Sequence, residues 1–129
     1  MTDIGFKYPK KEKLKSRKAI EVLFTEGKSV SKFPLRLVYT SHENFEEETL
    51  KFGVSVSKKY FKKAVDRNYY KRVLRECYRL NKKILYENLE QPYHMMFFYQ
   101  TKERLDFQSI NTKTKELFEK WVVQKNEKA

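Results

Sequence analysis

The sequence predicts an α+β fold, a single β-sheet with helices packed on it, and three observations carry that expectation. Residues 28–40 and 50–57 alternate apolar and polar side chains with period two, as half-buried strands do. Residues 16–27, 66–85 and 108–123 instead place apolar side chains at helical spacing. Before the last of these lies YHMMFFYQ, residues 93–100, short, aromatic and nearly all apolar, which suits a strand buried on both faces in mid-sheet. The order is helix, strands, helix, strand, helix. A chain of 129 residues is long enough for one such domain and too short for two.

Taken in order, residues 1–15 are polar and basic, with a KKEKLK run and no sustained periodicity, and read as a flexible arm. Ser16 is placed to cap the first helix, in which Ala19, Ile20, Leu23 and Phe24 form a narrow apolar stripe and Gly27 falls at the C-terminal cap. In the strand that follows, Phe33, Leu35, Leu37 and Tyr39 point one way. Pro34, Arg36 and Val38 point the other, onto a face expected to be wet, with Pro34 at a sheet edge or strand start. SHENFEEE, residues 41–48, reads as a solvated acidic turn. Beyond it LKFGVSVS sets Phe52, Val54 and Val56 against Gly53, Ser55 and Ser57, and the two strands are expected to pair as an antiparallel hairpin. The long helix runs from Asp66, its expected N-cap, to about Leu85. After a Glu90-Gln91-Pro92 break and the aromatic strand, the final helix presents Ile110, Thr114, Leu117, Phe118, Trp121 and Val122 on one side. The domain is thus drawn over 16–124, with a polar tail at 125–129.

Lys and Arg number 29 against 17 Asp and Glu, a formal charge of +12. A compact state pays self-repulsion for such an excess, which points to a polyanionic partner, nucleic acid before an anionic membrane. No stretch approaches the roughly 18 consecutive apolar residues of a membrane span, and MTDIGFKYPKK lacks the apolar core of a secretory signal, so the expected compartment is the cytosol, with no membrane partner. Cys77, the single cysteine, can form no internal disulfide and reads as a small core residue. With only His42 and His94 beside it, a structural zinc set is lacking.

The charge is concentrated: eleven basic and two acidic residues lie between Lys58 and Lys83. On a helical wheel with Arg67 at zero, Tyr70, Val73, Leu74, Cys77 and Leu80 centre near about 280°. Lys71, Arg75, Arg79 and Arg72 fall between about 40° and 140°, with Asn68 among them. A merely soluble face would mix its signs, because like charges at i, i+3 and i+4 repel. This one reads as a phosphate-binding face, with Arg67 and the first-turn amides as a possible anion site. Helix-turn-helix spacing is absent, and exposed aromatics such as Phe24 or Tyr69 beside cations suit stacking on unpaired bases, so shaped or single-stranded RNA fits better than duplex DNA.

GVSVSKK, followed by KKAVDRNYYKRVLRE, resembles the signature of the bacterial ribonuclease P protein family, an RNR-x-KR-x-x-RE helix after a G-x-S-V-S-K-K strand. AIEVLFTEGKS resembles the family's first helix and its exit, and the similarity spans roughly residues 13–122. The resemblance implies a single four-stranded sheet with packed helices in the order αβββαβα. It is the fold of domain 2 of ribosomal protein S5, with a left-handed β-α-β crossover that general handedness rules would not favour. It also implies a subunit that joins a catalytic RNA to remove 5′ leaders from precursor tRNA. The RNA, with magnesium bound mainly to it, carries the hydrolysis, and the protein supplies no catalytic side chain.

Carried over by position, the resemblance assigns Lys58, Lys59, Arg67, Asn68, Lys71, Arg72, Arg75 and Arg79 to the RNA subunit. It assigns Ile20, Phe24, Arg36 and Val38 to a cleft for the leader of the precursor tRNA. Tyr69 departs from the pattern, standing where the family has the second Arg of RNR. Two rivals stay open on sequence: a general RNA- or ribosome-associated binding module, and a metal-dependent nuclease, for which candidate ligands are few.

Overall fold

The computed structural model describes residues 12–41 and 50–127, so the acidic turn lies outside them apart from Ser41. Seven elements follow in order: α1 (Arg17–Glu26), β1 (Lys28–Lys32), β2 (Leu35–Ser41), β3 (Leu50–Val56), α2 (Ala64–Tyr86), β4 (Tyr93–Tyr99) and α3 (Phe107–Asn126). The four strands form one mixed sheet in the order β1-β2-β4-β3.

Helix α1 starts as its sequence dictates, with the Ser16 Oγ accepting from the Ala19 N–H at 3.2 Å. It ends at Gly27, whose N–H donates to the Leu23 carbonyl. The requirement for glycine here is close approach and not handedness, since φ is −75° but an added Cβ would sit 2.3 Å from the Leu23 oxygen.

Alternation alone reads 28–40 as one strand, but the chain forms two there, in keeping with the order αβββαβα. The chain reverses through a cis Phe33-Pro34 peptide, and β1 and β2 pair antiparallel with Val30 opposite Leu37. Pro34 thus sits in the turn before β2, where it owes the ladder no N–H.

The expected hairpin between the second and third strands does not form. Instead β4 lies between them, antiparallel to β2 and parallel to β3, and α2 makes the crossover from β3 to β4. Alternation specifies which face of a strand is buried but not which strand lies beside it, and the β4 residues arrive only after α2.

Helices α2 and α3 cover one face of the sheet. Phe52 stacks on Tyr78 with centroids 3.9 Å apart, and Trp121 stands edge-on to Tyr93 and Tyr39 at 5.3 and 6.2 Å. The other face, expected to be wet, is partly covered by α1, where Leu14, Leu23, Val38 and Met96 form a second small core. Central β4 is buried on both faces, apart from a partly open Phe98.

Residues 12–14, expected in a flexible arm, are docked along the β3 edge. The Leu14 N–H donates to the Phe52 carbonyl at 3.0 Å, and Lys13 bridges Phe52. At the opposite edge, Lys120 and Gln124 of α3 donate to the Ser31 and Ser29 carbonyls at 2.8 and 3.0 Å. Both edges are thereby blunted against pairing with another chain.

Candidate nucleic-acid interface

The strand β3 delivers the chain to the turn Ser57–Lys63 and then to α2. Ser57 organises this turn: its carbonyl accepts from the Tyr60 and Phe61 N–H groups, and its Oγ accepts from the Lys59 N–H at 3.0 Å. Lys58, Lys59, Lys62 and Lys63 stand exposed on it. Phe61 turns inward, 4% exposed, and stacks on Tyr70 at 4.9 Å.

Helix α2 begins three residues earlier than expected. Lys63 occupies the N-cap position without a side-chain cap, and Asp66 lies in the first turn. The Asp66 carboxylate faces Arg104 from the β4–α3 connection, accepting from its Nη1 at 3.3 Å and its Nη2 at 3.1 Å. This hydrogen bonding holds the Asp66 carboxyl below the usual carboxylate range. Arg67, read as part of an anion site, points its Nη1 at the Phe61 and Lys62 carbonyls, at 3.0 and 2.8 Å.

The cationic face is shorter than the wheel suggests. Asn68, Arg72 and Arg75 are exposed and Lys71 is partly so, all in the first half of α2. The Arg72 guanidinium lies 5.6 Å from the Tyr69 ring centre, and Tyr69 itself is 45% exposed. At the position that departs from the signature, an aromatic face therefore backs a neighbouring arginine.

Further along the same angles the face closes. Tyr78 and Lys82 are buried, and Glu12 reaches over to them from the N-terminal segment, its Oε1 accepting from the Tyr78 hydroxyl at 2.9 Å and from Lys82 Nζ at 3.1 Å. Arg79, expected on the basic face, is paired with Glu76, donating from Nε to Oε1 at 3.1 Å. That contact lowers the Glu76 pKa and raises that of Arg79. The sequence carried the charges; the partner of Lys82, 70 residues away, was not legible in any local pattern.

On the opposite sheet face, the register aligns Ser31, Arg36, Phe98 and Ser55 in one row across all four strands, at the end nearest the lysine turn. Phe24, 55% exposed, leans over this row with its ring centre 5.9 Å from that of Phe98. Ile20 is partly buried beside it. Val38, expected to line the cleft, is 4% exposed and packs beneath α1, so it is floor and not lining. Phe98 is the cleft residue that sequence reasoning missed; one-strand alternation within YHMMFFYQ pairs it with His94 and Met96 on the α1 face, a signal masked by the uniform apolarity of the run. The same face continues to a pocket of about 430 Å³ lined by Lys13, Lys15, Lys51 and His94, among others.

Among the described residues, no group of three or more His, Cys, Asp or Glu side chains is placed to hold a metal ion. No helix among them is long and apolar enough to cross a membrane. An open mixed sheet that carries a lysine turn, a cationic half-helix and an aromatic cleft at one end defines a class of small basic α+β protein.

Residues 8–122 match the family described as Ribonuclease P, and the chain belongs to that family. The ribonuclease P protein component of Porphyromonas gingivalis is 39% identical over 108 residues, 81% of this chain and 79% of that protein. That of Geotalea uraniireducens is 30% identical over 120 residues, 89% and 95% of the two chains. Among solved structures, the RNase P protein of Thermotoga maritima gives a TM-score of 0.67 at 26% identity, over 84% of this chain and 96% of that one. The Staphylococcus aureus protein gives 0.69 at 19% identity, over 85% and 94%, a likeness of fold.

Proposed function

We propose that this chain is the cytoplasmic protein subunit of ribonuclease P, which binds the catalytic RNA and the 5′ leader of precursor tRNA and so promotes endonucleolytic 5′ maturation. The observation that carries this reading is the placement of two different surfaces at one end of the sheet. The lysine turn and the first half of α2 offer a cluster of exposed cations, which suits a phosphate backbone. The Phe24, Phe98 and Arg36 cleft, on the other sheet face, offers aromatic surface and one cation, which suits an unpaired strand. A general RNA-binding module would need only the first.

In this reading hydrolysis and the magnesium that serves it belong to the RNA, and the protein's residues bind and orient. Arg72, Arg75, Lys71 and Asn68 engage the RNA subunit together with Lys58 and Lys59. Phe24 stacks on a leader base while Arg36 neutralises a neighbouring phosphate. The test is 5′ cleavage of a precursor tRNA by the cognate catalytic RNA at low magnesium, with and without purified protein. A gain in cleavage with protein present is expected, and equal rates would sink the proposal.

A further inference from the structure

Asp66 is an odd residue to find at this end of the molecule. It removes one positive charge from a surface otherwise crowded with lysines and arginines, and it draws Arg104 into an ion pair. The pair is not deeply buried, with side-chain exposures of 59% for Arg104 and 24% for Asp66, so it contributes little to global stability.

Its geometry is more informative than its strength. Besides holding Asp66, the Arg104 guanidinium lies over the Phe61 ring at 5.3 Å. Phe61 in turn stacks on Tyr70 of α2 at 4.9 Å, with Tyr99 of β4 at 6.1 Å, and the two tyrosines stack on each other at 4.7 Å. Arg67, the next residue along from Asp66, holds the Phe61 and Lys62 carbonyls. Phe61 is thus fixed from both sides: its ring lies beneath Arg104 and its carbonyl is tied to Arg67. The four exposed lysines of the turn flank that one anchored residue.

We propose that Asp66 and Arg104 are positioning residues, whose ion pair clamps Phe61 and so pre-orders the Ser57–Lys63 turn for docking on RNA. The proposal rests on the RNA-binding reading above and adds residues that touch no RNA themselves. A lysine turn that is already ordered loses less conformational freedom on binding, which is the general advantage of preorganisation.

Asp66→Asn separates this role from simple charge. The variant carries one more positive charge, so a purely electrostatic account expects tighter binding to RNA. The clamp account expects weaker binding, by roughly fivefold, the scale of a lost coupled contact. Exchanging the pair, Asp66→Arg with Arg104→Asp, is expected to restore affinity to within about twofold of wild type on the same scale. Amide hydrogen exchange of the free protein gives a readout independent of RNA. It should quicken at residues 57–63 in Asp66→Asn and recover in the exchanged variant. Tighter RNA binding by Asp66→Asn, or unchanged exchange at 57–63, overturns the proposal alone. Wild-type protein that fails to bind the cognate RNA overturns the docking reading and the positioning role with it.

Discussion

At the scale of single residues, Glu12 and Lys82 show most clearly how context overrides composition. A lysine in the middle of a basic helix face reads as solvent-exposed, yet Lys82 is 2% exposed, and a carboxylate from the N-terminal segment comes to meet it. A buried pair of this kind is costly to break and cheap to replace whole. Glu12→Ala should therefore destabilise the protein by about 3 to 5 kcal/mol, because it removes the carboxylate that faces a buried ammonium. Glu12→Gln combined with Lys82→Met should stay within about 1 kcal/mol of wild type, since the amide still accepts from Tyr78 and no charge is left unpaired. Urea unfolding at fixed pH measures both; a double variant as unstable as the single would show that the pair itself is favourable. Asp66 carries a similar lesson. A carboxylate near a helix start is most simply read as its cap, and only the arrival of Arg104 from another connection gives it a different partner.

At the scale of elements, most helix and strand spans were legible, because amphipathic period and capping residues are local properties. Ser16 at the start of α1 and the apolar stripe of α3 are examples. The split of 28–40 into β1 and β2 was not legible, since neither Phe33 nor Pro34 belongs to the Asn-Gly or Asp-Gly chemistry that marks a tight hairpin. The packing of α2 on α3 also has a chemical consequence. Cys77 is buried between them, and burial pushes its thiol up to about 11, against a weaker opposing hydrogen bond from Thr114. The thiolate is therefore scarce at neutral pH. Thiol-specific reagents should accordingly leave the native protein unmodified and label one site once it is unfolded. Rapid labelling under native conditions would mean that α2 and α3 open far more readily than this core implies.

At the scale of the whole molecule, the fold class is legible in the sequence while the strand pairing is not, for one physical reason. Faces are set by neighbours in sequence, whereas β4, which follows the intervening helix in the chain, lies between β2 and β3. The candidate interface divides in the same way. Its charges were visible in the sequence; the boundary was not, because Glu12 and Glu76 close off the second half of the α2 face. The result is a cationic end in place of a cationic stripe, with the turn Ser57–Lys63 and Asn68 to Arg75 at its centre. The most direct test compares the affinity of Arg72→Ala, Arg75→Ala and Arg79→Ala for the catalytic RNA across a salt series. Arg72→Ala and Arg75→Ala should each weaken binding and lower the slope of log affinity against log salt by about 1. Arg79→Ala, whose charge Glu76 already answers, should leave both close to wild type. Equal losses at all three positions, or none at Arg72 and Arg75, would contradict the account.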